Sequence, residues 1–268
     1  MSKLPKYWNQ LSTVDFGLID FEKAVAVWPL GATEQHGPHL PLSVDTDLVT
    51  AVAVESLKHL LDSDPVFFLP PQSIGFSEEH SAFAGTLSLS AETLLAIARE
   101  IGACLARTGM KKLLLFNSHG GNVSLMDLIA RELRGKFDLL VFSTSWYQLP
   151  LDPSALANFT AHEHRYGVHA GDVETSMMLQ IAPELVRMQV AQNFMSASAD
   201  RSNNYEILGD GKSAKLGWHI QDYNPLGAVG DAKSATAEKG EKLLQSAGFQ
   251  LAKLLQELIT MPPLSVRS

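Results

Sequence analysis

Ala24-Val25-Ala26-Val27-Trp28-Pro29-Leu30-Gly31-Ala32-Thr33-Glu34-Gln35-His36-Gly37-Pro38-His39-Leu40-Pro41-Leu42-Ser43-Val44-Asp45 is the stretch on which the fold turns. Its first half is an apolar run that reads as a buried strand over 24–29. Its second half is turn-rich and confines Glu34, His36, His39 and Asp45 to one loop. Acids and imidazoles crowded into a loop between regular elements point to a metal site, although a polar surface loop would also fit. Beyond Asp45, the residues Val49, Val52, Ala53, Ser56, Leu57 and Leu60 recur at helical spacing. Strand, polar loop, helix is the unit of an α/β protein.

The same unit repeats along the chain. Val66-Phe67-Phe68-Leu69 is a second short strand, stopped by Pro70-Pro71. Residues 72–89 form a long Gly/Ser-rich loop, a length that is usually functional. Ser90 as N-cap and Glu92 in the first turn open a helix carrying Leu94, Ile97, Ala98, Ile101 and Leu105, and Gly109 stops it. Leu113-Leu114-Leu115-Phe116-Asn117 is a third strand, and Ser118-His119-Gly120-Gly121-Asn122 turns it into another helix, with Asn122 as its expected cap. Leu139-Leu140-Val141-Phe142 is a fourth strand. A loop over 148–170, a helix from near Gly171 to about Ala182, an irregular stretch over 191–234 and a last helix from about Ala235 to Ile259 complete the chain. Nearly all-apolar strands alternating with helices predict a mostly parallel central sheet covered on both faces, a three-layer α/β/α fold. With 268 residues and no linker or repeat, a single domain over 1–268 is expected.

Composition excludes several classes. The net charge of −8 and the lack of a Lys/Arg cluster argue against nucleic acid as a partner. No segment reaches the roughly 20 apolar residues of a membrane span, and the first residues lack a signal-peptide core. A single cysteine, Cys104, precludes an intrachain disulfide and is expected to be a buried, inert thiol. These features predict a cytoplasmic protein. Other catalytic signatures fail: no G-x-S-x-G elbow is present, Glu206 occupies the first glycine position of a P-loop, and Tyr166 replaces the second histidine of a zincin motif begun by His162-Glu163.

In open parallel sheets, ligands bind beyond the carboxyl ends of the strands. Glu34, His36 and Asp45 follow the first strand, His119 the third, and His169 and Glu174 the fourth. Imidazole and carboxylate without thiolate suit zinc, with manganese or iron as alternatives. A carboxylate using both oxygens is the natural bridge between two ions about 3.5–4 Å apart, and Asp45 is chosen for that place. A nearby histidine can carry a proton to a leaving nitrogen.

Taken together, Trp28 to Pro41, Asn117-Ser118-His119-Gly120-Gly121-Asn122 and His169-Ala170-Gly171-Asp172-Val173-Glu174-Thr175-Ser176 resemble the creatininase (creatinine amidohydrolase) family. The segments Ser77 to His80, Gly85 to Ser88 and Gly230 to Gly240 match as well, so the resemblance covers about residues 20 to 250. It implies a hydrolase of cyclic amides or other non-peptide C–N bonds, with water activated by two divalent metals and a homo-oligomeric, hexameric assembly. By the same resemblance the metal ligands are Glu34, His36, Asp45, His119 and Glu174, and the catalytic groups are His169, as proton carrier, and Glu174. Creatininase itself places a tyrosine and a metal-binding glutamate where this chain has Gly120 and Gly121, and an acid where it has Val168. The departures make Glu174 the replacement carboxylate and turn the expectation away from creatinine. The glycine version resembles relatives acting on formamide-type pyrimidine intermediates or on modified peptides.

The expected activity is therefore cleavage of a cyclic amide, formamide or related bond in a small polar molecule. A peptidase acting on a small modified peptide, and a non-catalytic metal- or ligand-binding relative, are the alternatives. Trp146, Gly120, Gly121 and His80 are the expected substrate-binding residues. His162, His164, Trp218 and His219 are further pocket candidates, and His39 is expected to hydrogen-bond its own turn.

Overall fold

The computed structural model describes residues 4–262. Four parallel strands form the central sheet: β1 (Val25–Leu30), β2 (Val66–Phe68), β3 (Lys112–Asn117) and β4 (Leu140–Ser145), in the order β2-β1-β3-β4. β1 and β3 are central, and every residue in both is buried. Alternate side chains feed two cores. Val25, Val27, Leu114 and Phe116 join α1 (Val44–Ser56), α6 (Asp172–Ile181) and α8 (Ala237–Thr260) on one face. Ala26, Trp28, Leu113 and Leu115 join α2 (Ala91–Thr108) and α3 (Val123–Phe137) on the other. This is the expected three-layer α/β/α arrangement. Truncating a central side chain such as Phe116 to Ala would cost about 3–5 kcal/mol.

Pro29 lies inside a central strand, a place proline normally avoids because it cannot donate to the ladder. It is tolerated because Pro70 and Pro71 interrupt the neighbouring strand beside it; pairing resumes only at Gln72, whose N–H donates to Pro29 O and whose carbonyl accepts from Gly31 N–H, so no ladder bond needs a Pro29 N–H. Two predicted helix signals are realised: Ser90 Oγ accepts the Thr93 N–H, and Gly109 closes α2 at φ 103°. Lys112, buried at the start of β3, donates Nζ to the Leu258 and Ile259 carbonyls, capping the C-terminal end of α8.

Other expectations are corrected. Cys104 is exposed, because it lies off the buried stripe of Leu94, Ala98 and Leu105. β4 extends to Ser145 and leaves Phe142 and Ser143 exposed, since an edge strand has neighbours on one side only. Asn122 does not cap α3. Its amide instead accepts from Phe76 N and donates to Gly31 O, tying the 72–89 loop to β1. The 148–170 stretch contains α4 (Pro153–Leu156) and α5 (Ala161–Tyr166), and 191–234 contains β5 (Asn193–Phe194), α7 (Ala197–Asn204) and β6 (Gly230–Asp231). No helix among the described residues is long and apolar enough to cross a membrane.

Candidate metal centre

All polar clusters meet beyond the carboxyl ends of β1, β3 and β4. Glu34 and His36 leave the loop after β1, Asp45 sits in the first turn of α1, His119 follows β3, and Glu174 sits in the first turn of α6. Glu34, His36, Asp45 and His119 are almost fully buried. Donor atoms of Glu34, Asp45 and His119 lie within 4.8 Å of one another, as do those of His36, Asp45 and Glu174. Asp45 belongs to both groups. A third grouping joins Glu34, His36 and His169.

Hydrogen bonds set which ring nitrogen of each histidine faces inward. The His36 Nδ1–H donates to Glu34 O at 3.1 Å, which leaves Nε2 aimed at Asp45 Oδ2, 3.7 Å away. The His119 Nε2–H donates to Phe76 O at 2.7 Å, which leaves Nδ1 3.3 Å from Glu34 Oε1 and 3.7 Å from Asp45 Oδ2. Outer partners that orient an imidazole in this way are typical of metal-ligating histidines. Glu34 Oε2, His36 Nε2 and Asp45 Oδ2 are buried without a hydrogen-bond partner. Buried polar atoms are almost always paired. Orphans on Glu34 and Asp45 in one donor group, and on His36 and Asp45 in the other, fit cations held within those groups.

The charge balance points the same way. Burial pushes Asp45 well above the usual carboxylate range, and the Glu34 charge adds to it. Burial also raises Glu174. Glu34 would rise for the same reason, but the His119 charge and hydrogen bond hold it well below. Burial opposes the charge on His119, yet Glu34 and Asp45 overcome it and raise the ring to about 10. Burial, then the His169 charge, lowers His36 to about 3, so it remains a neutral donor. Without an ion, a proton on His119 offsets the carboxylates.

Around this centre lies a cavity of about 420 Å³. Glu34, Asp45, His119, His169 and Glu174 face it, as do all four expected substrate-binding residues, Trp146, Gly120, Gly121 and His80. Its outer wall is apolar, with Leu151, Leu156, Phe159, Val168 and Val173. His164 and Trp218 line it too, whereas His162 packs on Tyr166 outside it. His39 does not bond its own turn: Nε2 meets Thr175 Oγ1 of α6 at 2.9 Å and the ring stacks on Phe194.

His169 is stacked between His36 and His80, with ring centres 4.2 and 4.3 Å away. Its Nε2–H donates to Gln35 O at 2.8 Å, leaving Nδ1 free and 3.8 Å from Glu34 Oε1. Ala170 beside it is held at φ 55°, a left-handed conformation costing about 1–2 kcal/mol for a residue with a Cβ. That turn brings the Ala170 N–H to Glu174 Oε2 at 2.5 Å.

Gln35 and Glu163 were not expected as site residues. Gln35 Nε2 donates to His80 Nδ1 at 2.7 Å, so the opposite His80 nitrogen can donate to Glu34 Oε1 at 3.3 Å. Burial, then the His169 charge, lowers His80 to about 2, so this ring is neutral. Glu79 Oε1 stands 3.7 Å from His119 Nε2 and faces the cavity. The Gln-His and Glu-His pairs in 34–36 and 78–80 were the available signal, but neither spacing reveals that the two loops touch.

Comparison with known proteins identifies the family. The family model described as creatininase, creatinine amidohydrolase, matches residues 9–255. A mycofactocin precursor peptide peptidase of Mycobacterium ulcerans is 35% identical over 224 residues, covering 80% of this chain and 78% of the relative. A creatinine amidohydrolase of Pseudomonas putida is 30% identical over 247 residues, covering 87% and 89%. Among solved structures, a manganese creatininase superposes with TM-score 0.76 at 26% identity over 96% of this chain and 99% of that one. A putative creatinine amidohydrolase of Bacteroides fragilis gives TM-score 0.76, also at 26% identity, over 99% and 100%. Fold, match length and identity together make this chain a member of the creatininase family of hydrolases.

Proposed function

We propose that this hydrolase cleaves an amide bond in a short modified peptide at a centre of two divalent metals. The peptide reading, the alternative at the level of sequence, is preferred over a small polar cyclic amide. The observation that carries the preference is the lining of the cavity: its wall of Leu151, Leu156, Phe159, Val168 and Val173 suits the apolar side chains of a peptide better than a small polar ring. The 35% identity to a peptide peptidase supports the same reading.

Glu34, Asp45 and His119 would hold one ion, and His36, Asp45 and Glu174 the other, with Asp45 as the shared carboxylate. Zinc suits this donor set first, and manganese also fits. Such ions supply Lewis acidity and an activated water. The chain's own residues do the rest. His169 carries on Nδ1 the proton that the water loses and delivers it to the leaving nitrogen, because Nε2 is committed to Gln35 O. His80 and Gln35 hold Glu34 and His169 in place. Trp146, its Nε1–H bonded to Ser118 Oγ at 3.2 Å, gives the cavity a rigid wall. Leu151, Leu156 and Phe159 exclude bulk water from the reacting carbonyl.

A panel of short peptides and cyclic amides, assayed for released amine with chelator-treated and zinc- or manganese-reloaded protein, tests the reading. Turnover of peptides by the reloaded protein alone is expected. Full activity after metal removal would overturn the metal role, and turnover of cyclic amides alone would overturn the substrate class.

A further inference from the structure

Glu163 is a buried carboxylate in α5 to which no role has so far been given; it is 2% exposed and borders the metal cavity. Its two oxygens are divided between two elements. Oε1 accepts the Asp172 N–H at 2.7 Å, at the first residue of α6, and the Val173 amide also donates to this carboxylate. Oε2 accepts the Asp231 N–H at 2.9 Å, in β6. The N-cap of α6 is Gly171, which has no side chain to satisfy the exposed amides. Glu163 therefore caps α6 from outside the helix, and its charge complements the helix dipole.

Three glycines make this reach possible. A Cβ at Gly171 or at Gly167 would overlap the Glu163 carboxylate, and one at Gly230 would lie 2.7 Å from Oε1. Around the clamped Asp172 amide runs the segment that serves the site. His169 is bridged to Val229 by paired backbone hydrogen bonds, Ala170 is in its strained left-handed turn, and Glu174 follows in the first turn of α6. Strained backbone of this kind persists only where its surroundings over-determine it.

We propose that Glu163 is a positioning residue: by clamping the α6 N-terminus to β6 it holds the His169–Glu174 segment in register with the metal centre. The inference rests on the reading of Glu174 as a metal ligand for its consequence, but not for the clamp itself.

Two variants of the full chain test it, Glu163→Gln and Gly171→Ala. The first keeps size but replaces one acceptor with a donor; the second keeps the carboxylate and displaces it. Hydrogen exchange of the metal-free protein should quicken at Asp172, Val173 and Asp231 in both. Zinc titration should show the ion at His36, Asp45 and Glu174 weakened about 10- to 100-fold, the usual effect of losing an outer support. The ion at Glu34, Asp45 and His119 should be nearly unaffected, a split that general destabilisation would not produce. Wild-type exchange at all three amides in both variants would overturn the clamp, and equal weakening of both ions would overturn its positioning role. Should Glu163→Gln fail to fold, Gly171→Ala decides alone. Should the wild type take up fewer than two zinc ions, the metal reading fails while amide exchange still judges the clamp.

Discussion

His119 turns Nδ1 toward Asp45 Oδ2 at 3.7 Å, and His36 turns Nε2 toward the same oxygen, also at 3.7 Å. One carboxylate oxygen thus faces both imidazoles, from opposite donor groups. If Asp45 is shared between two ions, Asp45→Asn should deprive the protein of both, whereas Glu174→Gln should release one. Elemental analysis after dialysis distinguishes the cases. Each variant should lose more than the roughly 100-fold that removal of an outer support costs, with melting still cooperative. Retention of two ions by Asp45→Asn would refute the bridge.

The proton on His119 gives an independent check. Glu34 and Asp45 raise this ring to about 10 in the metal-free protein. At pH 8 it is therefore charged, and an ion bound at Nδ1 must displace that proton. Metal uptake should release the His119 proton, together with any held by Asp45, whose carboxyl burial also pushes up, and affinity should fall as pH drops because protons compete. Calorimetric zinc titrations in buffers of different ionisation enthalpy count the protons. No release at pH 8 would mean that His119 is not a ligand.

The strands and the polar loops at their carboxyl ends could be read directly from the chain, because apolar runs and strand-end loops are local patterns; the choice of five ligands among those loop residues came from the family resemblance. Gln35 and Glu163 could not. Each acts by reaching across to another element: Gln35 to His80, and Glu163 to α6 and β6. Nothing in their own neighbourhood announces the partner. Asn122 misled for the opposite reason. Its position before a helix favours a cap, but tertiary acceptors and donors on Phe76 and Gly31 claimed the side chain instead. Cys104 followed the composition of its helix rather than its angular position on it.

His39 reports on acid sensitivity without touching the proposed ligands directly. Burial lowers its ring from 6.5 to about 4. The folded protein then holds fewer protons here than the unfolded chain, so the stability His39 contributes is present above pH 6.5 and lost as pH falls toward 4. Each unit in that window corresponds to about 1.4 kcal/mol. Asp45 and Glu174, whose raised values act in the opposite sense, are common to wild type and variant. Urea denaturation of metal-free wild type and His39→Gln at pH 7 and pH 5 should therefore show a smaller acid loss in the variant. Equal losses would place the acid lability elsewhere.

Gly120 and Gly121, adjacent and both facing the cavity, should respond to substitution in opposite ways. A Cβ at Gly121 would overlap Phe76 O, Glu79 Oε1 and His119 Nε2, so the backbone there must pack directly against the support of a proposed ligand. Gly121→Ala should displace His119 and weaken metal binding, and it should destabilise the fold by about 1–3 kcal/mol, as overpacking of a tight core does. Gly120 has no atom within 4 Å of its Cβ position. Gly120→Ala should fold and bind metal normally, and its effect should fall on substrate affinity through the added methyl in the cavity. Melting temperature, zinc stoichiometry and KM separate the two. The same packing leaves no room for a longer side chain at 121, in keeping with the proposal that Glu174, arriving from α6, supplies the carboxylate. Unimpaired zinc binding in Gly121→Ala would remove that explanation.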